Sequence, residues 1–129
     1  MANEHTDKKY EEELKKLREE ILYMGGFVED QIQKAVKSLV ERDSQLAEII
    51  IERDHEVNRL DVDIDDLCIR LLALHQPAGR DLRFITTGLK ITTDLERIGD
   101  MAVNFCERTL ELNQEPQLKP YIDIPRMAT

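Results

Sequence analysis

The sequence lacks tryptophan, and aromatic residues make up only 5% of its 129 residues. It also lacks any apolar run approaching the roughly 20 residues that a membrane-spanning helix requires. The first residues, MANEHTDKKYEEE, contain no apolar segment of the kind found in secretory signals. We therefore expect a cytoplasmic protein.

Cysteine and histidine are also scarce, and neither has the spacing of a zinc site. Cys68 and Cys106 fall in apolar helical patterns, which predicts buried, reduced thiols. His5, His55 and His75 are scattered, and no Ser/His/Asp set or glycine-rich phosphate loop is present. We therefore expect that the protein is not an enzyme.

Positive charge is in short supply, with 18 Lys and Arg residues against 27 Asp and Glu residues and a net charge of −9. A nucleic-acid binder needs basic residues to neutralise phosphates, so this balance excludes nucleic acid as the expected partner. It also disfavours direct binding to anionic lipid. Cations or basic protein surfaces are the natural partners of such a chain.

Apolar residues make up 41% of the sequence and recur at intervals of three and four, which predicts amphipathic helices. The first predicted helix covers about 7–41, where Gly25 and Gly26 indicate either a bend or a close helix contact. The second starts at Asp43 or Ser44 and ends near Leu74. Asp54 resembles a second helix cap, which leaves open a separate short helix over 44–53.

Pro77 and Gly79 break the pattern, and a third helix is predicted from Arg80 or Asp81 to about Leu112. At about 1.5 Å per residue the three helices have similar lengths of roughly 50 Å. Short turns between them require an all-α, antiparallel three-helix bundle over 1–112. Residues 113–129 contain three prolines and are predicted to be a linker.

The stretch DLERIGDMAVNF, residues 94–105, is the most unusual part of the sequence. Glu96, Asp100 and Asn104 follow one another at one-turn spacing, within an arc of roughly 80°. The opposite side of the helix carries apolar residues, so the acids are predicted to lie on the outward face. These apolar residues are Leu95, Ile98, Met101, Ala102 and Phe105.

The second helix carries a similar ladder of acids at the edge of its apolar stripe: Asp54, Asn58, Asp61 and Asp65. In an antiparallel bundle the two ladders can lie on neighbouring helices. Acidic side chains usually just solvate a helix surface, and the pattern fits that interpretation. It also fits a carboxylate metal site, because hard or borderline cations prefer oxygen ligands. The Glu-x-x-His motif of ferritin-like di-iron bundles is missing from both ladders.

The segment LALHQPAGRDLRFITTGLKITTDLERIGDMAVNF closely resembles the signature region of the PhoU family of phosphate-transport regulators. The preceding segment, ERDHEVNRLDVDIDDLCIRLLA, is similar to the family's preceding helix. The resemblance covers about 8–112 and is looser in the first helix. Because family members have two tandem three-helix repeats, it implies that 1–112 is one repeat and that 113–129 includes the opening of a second.

The resemblance also implies a function. Family members are cytoplasmic negative regulators of the phosphate-starvation response, which act between the ATPase-driven phosphate ABC transporter and a two-component sensor histidine kinase. The resemblance therefore implies a non-enzymatic adaptor between these two partners, which meets a membrane only indirectly, through them. The alternative is an acidic helical metal-binding module that stores or buffers the ion.

Some family members bind metal through E/D-x-x-x-D motifs on the bundle surface, and the matching pair here is Glu96 and Asp100. The resemblance therefore implies a divalent or trivalent cation (Fe, Mn, Mg or Zn) at this pair. Asp94 and Asn104 are the neighbouring candidate ligands. Asp54, Asp61 and Asp65 are the candidate partners from the preceding helix.

The start of the third helix suggests self-association. Leu82, Phe84, Ile85 and Leu89 spread around much of its circumference, which is more apolar surface than one bundle seam requires. Leu82 and Leu89 fall outside the stripe that continues through Leu95. We therefore expect a homodimer formed by the first half of the third helix and the end of the second.

Overall fold

The computed structural model describes residues 2–114, with side chains from Asp7 onward. It contains helix α1 (Ala2–Glu41), helix α2 (Ser44–His75) and helix α3 (Gly79–Gln114), and the described residues include no strand. Each helix packs against the other two. The predicted all-α, antiparallel three-helix bundle is therefore confirmed.

Short turns with specific side-chain and backbone features join the helices. Asp43 is the N-cap of α2, as the sequence predicted, and its carboxylate accepts a hydrogen bond from the Leu46 amide at 3.0 Å. Gln76 ends α2 in the left-handed conformation, and Gly79 with φ +57° begins α3. The Asn113 amide donates to the Arg42 carbonyl at 2.9 Å, which attaches the end of α3 to the α1–α2 turn.

The structure corrects two details of the predicted helices. The separate short helix over 44–53 is wrong, because α2 is continuous and Asp54 lies inside it. One buried line runs through Ile50 and Val57 without a glycine or proline to interrupt it. The α3 helix ends at Gln114, two residues beyond the predicted end at Leu112. The first two residues of the predicted linker over 113–129 therefore belong to α3, and the rest of it, 115–129, lies outside the described residues.

Gly25 and Gly26 lie within the continuous helix α1. A Cβ atom added at either position would have no heavy atom within 4 Å in the described part of the chain. Of the two alternatives, a bend and a close contact with another helix of the bundle, the close contact is therefore wrong. The two glycines leave an open strip on α1 instead.

The core consists of two clusters. The larger one is built from bulky aliphatic side chains and occupies the half of the bundle that contains the α2–α3 turn. The smaller one, near the α1–α2 turn, contains Ala35, Ala47, Ile50, Ala102 and Cys106. Both thiols are buried and free, as predicted, and burial raises the pKa of Cys68 to about 11. The larger cluster contains Leu17, Met24, Val28, Val57, Leu60, Ile64, Leu67, Cys68, Leu71 and Ile85.

Helix α3 turns a line of small residues towards the core. Gly88, Thr92, Gly99, Ala102, Cys106 and Thr109 are all buried. The bulkier Leu95, Ile98 and Phe105 are half-buried and pack against the cluster edges. Met101 was predicted to lie on the apolar side of α3. That prediction is wrong, because Met101 is 50% exposed. Leu89 was expected outside the stripe, but it packs against the larger cluster.

A polar cluster joins α1 to the α2–α3 turn. The Tyr10 hydroxyl donates to Asp81 Oδ2 at 2.9 Å, and its ring lies 4.6 Å from the His75 ring. His75 Nε2 lies 3.7 Å from Glu13 Oε1, and Arg70 Nε lies 3.4 Å from Glu13 Oε2. Desolvation, followed by the bond to Asp81, raises the pKa of Tyr10 to about 12. This cluster fixes the position of α1 against the rest of the bundle.

No helix in the described part of the chain has an apolar stretch long enough to cross a membrane.

Candidate functional site

Acids from two neighbouring helices face one another along the contact between α2 and α3. We call this group the acidic seam: Asp54, Asp61 and Asp65 of α2, with Glu96 and Asp100 of α3. The carboxylates are close enough to repel one another, since Glu96 is influenced by Asp61, and Asp54 by Asp100. The structure therefore brings together the two ladders that the sequence placed on separate helices.

Asp54 lies closest to the helix contact. Its Oδ1 atom is buried and has no hydrogen-bond partner among the described residues. A Cβ atom added at Gly99 would lie 3.4 Å from that oxygen and 3.2 Å from Val57 Cγ1. Gly99 is therefore what allows Asp54 to pack against α3. We did not assign it a role from the sequence, although a glycine within an acidic helix turn was the available signal.

The seam raises the pKa of three of its carboxyl groups. For Asp54 the largest cause is desolvation, followed by repulsion from Asp100, with His55 acting in the opposite direction. Desolvation also leads for Asp61, followed by Asp65. The pKa of Glu96 rises through desolvation, then through Asp61 and Asp100. Each raised pKa means that the charged carboxylate is less stable in the seam than in water.

Within the described part of the chain no ion pair compensates this charge, and only His55 acts against the rise in the pKa of Asp54. Among residues 7–114, none of the ion pairs within 4.0 Å includes a member of the acidic seam. Elsewhere on α2, by contrast, Arg59 pairs with both Glu56 and Asp63. A proton or a bound cation would relieve the repulsion in the seam.

The remaining candidate residues lie at its margin or outside it. Glu96 lies outside the core, as predicted, but is partly buried at the contact with α2, whereas Asp100 and Asn104 are exposed. Asn104 follows Asp100 by one turn. The structure does not bring Asp94 into the seam, because its exposed carboxylate lies 3.8 Å from Arg97 Nη1.

The seam meets only part of the requirement for a metal site. It supplies several oxygen donors, uncompensated negative charge and the unpartnered Asp54 Oδ1. However, no three His, Cys, Asp or Glu side chains of residues 7–114 are grouped as a ligand set. A cation held here would have to draw the carboxylates closer together or be bound partly through water.

Comparison with known proteins identifies relatives over most of the chain. The model of the PhoU domain family matches residues 21–109. A phosphate-specific transport system accessory protein PhoU homolog of Aquifex aeolicus is 43% identical over 116 residues, covering 90% of this chain and 52% of that protein. The accessory protein PhoU of Escherichia coli is 39% identical, covering 84% of this chain and 45% of its own length.

The fold comparison agrees. The crystal structure of PhoU from Pseudomonas aeruginosa superposes with a TM-score of 0.79 at 38% sequence identity. The superposition covers 91% of this chain and 56% of that chain. The chain thus spans about half the length of the curated relatives it matches.

Proposed function

The chain belongs to the PhoU family, and from this membership we propose that it regulates phosphate uptake as an accessory of a phosphate-specific transport system. The observation that carries the proposal is the match to the family over residues 21–109, together with relatives named for that role. Since the chain covers about half of each relative, the activity and partners of the whole proteins are proposed here for this part.

We propose more specifically a non-enzymatic adaptor in the cytoplasm. It would contact the ATPase of the phosphate ABC transporter on one side and the cytoplasmic part of a sensor histidine kinase on the other. Its effect would be to hold the phosphate-starvation response off. A bundle of three helices, the longest of 40 residues, provides an extended surface for two partners without requiring a reaction.

A binding experiment tests the adaptor role. The 129-residue chain is immobilised and exposed separately to the transporter ATPase and to the cytoplasmic part of the kinase. The ATPase of an unrelated ABC transporter serves as the control. We expect retention of the first two proteins and loss of the control in the wash. Equal retention of all three, or of none, would contradict the proposal.

We propose that the acidic seam also binds a cation, with Glu96 and Asp100 as the central pair. The support is the raised pKa of Glu96 and Asp54 and the lack of a compensating ion pair among residues 7–114. A divalent or trivalent ion such as Fe, Mn, Mg or Zn suits oxygen donors of this kind. If binding the ion were the main role, the chain would be a storage or buffering module.

A charge-matched pair of variants tests the cation site. Glu96→Gln with Asp100→Asn removes two charges one turn apart, and Glu48→Gln with Glu52→Gln removes two charges at the same spacing elsewhere. Calorimetric titration with Mn²⁺ should show binding to the wild type and to the second variant, and about tenfold weaker binding to the first. Equal weakening in both variants would indicate general attraction by net charge and no site.

A further inference from the structure

Exposed aliphatic side chains lie beside the acids of α2. Val62 and Ile69 are 57% and 55% exposed, although residues of these types are usually buried. Asp65 follows Val62 by three residues and precedes Ile69 by four, so the three side chains share one face of α2. This face of α2 therefore carries two apolar side chains with an exposed carboxylate between them.

Leu82 of α3 extends this surface across the contact between the two helices. Leu82, Leu89 and Glu96 recur every seven residues, which is almost two turns. Leu82 therefore lies on the line of α3 from which Glu96 faces Asp61 of α2. It is 39% exposed and lies one turn after the start of α3, next to the end of α2. We define the apolar–acidic face as Val62, Asp65 and Ile69 of α2 with Leu82 of α3.

The acids of this surface lack the internal partners that other acids of α2 have. Arg59 lies 2.6 Å from Glu56 and 2.8 Å from Asp63, so both of those charges are compensated within the helix. Among residues 7–114, by contrast, Asp65 and its neighbour Asp61 take part in no ion pair within 4.0 Å. A surface that joins exposed aliphatic groups to uncompensated carboxylates complements a segment with both apolar and basic side chains.

We propose that the apolar–acidic face binds a basic amphipathic helix of a partner protein. Val62 and Ile69 are about 10.5 Å apart along α2, a spacing that matches apolar residues seven positions apart on a partner helix. A Lys or Arg residue three or four positions after the first of these would lie opposite Asp65. Leu82 would contact the partner helix from the side of α3.

The charge of the chain favours a basic partner over an acidic or a purely apolar one. The net charge of −9 attracts basic segments and accelerates their association. Burial, followed by repulsion from Asp65, raises the pKa of Asp61. A basic side chain supplied by a partner relieves this repulsion, which an apolar side chain leaves in place. The inference rests on the proposed adaptor role for the existence of a protein partner, and it adds the surface and the charge of that partner.

Fluorescence anisotropy with two labelled peptides tests the face. The first is a helical peptide of about 18 residues in which leucines form one side and Lys and Arg the other. The second has the same composition, with the leucines spread around the helix. Both are titrated with the 129-residue chain in the presence of a chelator, so that no bound cation competes. We expect saturable binding of the first peptide and about tenfold weaker binding of the second.

Matched variants locate the binding. Ile69→Ser removes an aliphatic side chain from the face, and Ile49→Ser makes the same change at a 53% exposed position beside Arg53. Asp65→Asn removes a charge from the face, and Glu48→Gln removes one from the side of α2 that carries Ile49. Each face variant should bind the first peptide about five- to tenfold more weakly than its control variant. Circular dichroism should show that all four variants retain their helices.

Three results would overturn the proposal. The first is no binding of the first peptide at chain concentrations up to about 1 mM. The second is equal binding of both peptides, which would indicate general attraction by net charge. The third is a face variant that binds the first peptide as tightly as its control variant does. Because the peptides replace the transporter ATPase and the kinase, these results would remove the face and leave the adaptor role to its own binding experiment.

Discussion

Asp54 is the residue at which the candidate site and the helix packing meet. Its Oδ1 atom is buried against Gly99 without a hydrogen-bond donor, and two acids of α3 repel it. Burial of a polar atom without a partner costs about 1–3 kcal/mol. The bundle therefore keeps at this position a side chain that lowers its stability when charged, which is common where residues are retained for binding.

Asp54→Asn should stabilise the bundle at pH 7, by about 1 kcal/mol in the free energy of unfolding, because it removes the charge that desolvation and the acids of α3 disfavour. The folded-state pKa of Asp54 is raised, so the folded state binds more protons than the unfolded state at pH values near it. The wild type should accordingly gain stability as the pH falls through the raised pKa, and the gain should level off below the ordinary value of 3.8. The advantage of the variant should shrink over the same range.

Urea unfolding at several pH values measures this difference, and Asp63→Asn provides the control. Asp63 lies on the same helix and pairs with Arg59 at 2.8 Å. Removing its charge should be nearly neutral or slightly destabilising at pH 7, as for an exposed ion pair. A stabilisation of equal size in both variants would attribute the effect to net charge and contradict our account of Asp54.

At the scale of the elements, glycines have opposite roles on α1 and α3. Gly26 lies on an open strip of α1, whereas Gly99 is in contact with α2 through Val57 and Asp54. Ala in place of Gly favours a helix by about 1 kcal/mol when the site has room for the methyl group. Only the first of the two sites has that room.

Gly26→Ala should therefore raise the free energy of unfolding by about 0.5–1 kcal/mol. Gly99→Ala should lower it by about 1 kcal/mol, because the new Cβ would lie 3.2 Å from Cγ1 of the fully buried Val57, which has little room to move. Thermal or denaturant unfolding of the two variants tests this pair. Stabilisation by both substitutions would mean that α2 and α3 are not in close contact at Gly99.

The helices themselves were largely predictable, because their ends carry local signals. Asp43 caps α2, and Pro77 and Gly79 separate α2 from α3. The helix break predicted near Asp54 was wrong because a capping residue does not by itself end a helix. No glycine or proline precedes Asp54 within α2. The rotation of α3 was harder to predict: we assumed that its bulkiest residues mark the core, but close packing of helices selects small residues such as Gly99 and Ala102.

At the scale of the whole molecule, the sequence also predicted that acids of α2 and α3 could become neighbours. It could not predict the half-burial of Glu96 or the exclusion of Asp94, because both depend on the rotation of α3. The role of Gly99 depends on the distance between α2 and α3. That distance cannot be inferred from the spacing of residues along the chain. The fold and family follow from patterns in the sequence, whereas the geometry of the seam requires the packed bundle.

The central claim is that this chain regulates the response to phosphate, and expression of a phosphate-starvation reporter tests it most directly. The 129-residue chain is produced in a host that lacks its own family member and grows with ample phosphate. Ile64→Asp, which buries a charge in the core, serves as the misfolded control. We predict that the wild-type chain lowers reporter expression and that the control does not. Full reporter expression in the presence of the folded wild-type chain would contradict the account.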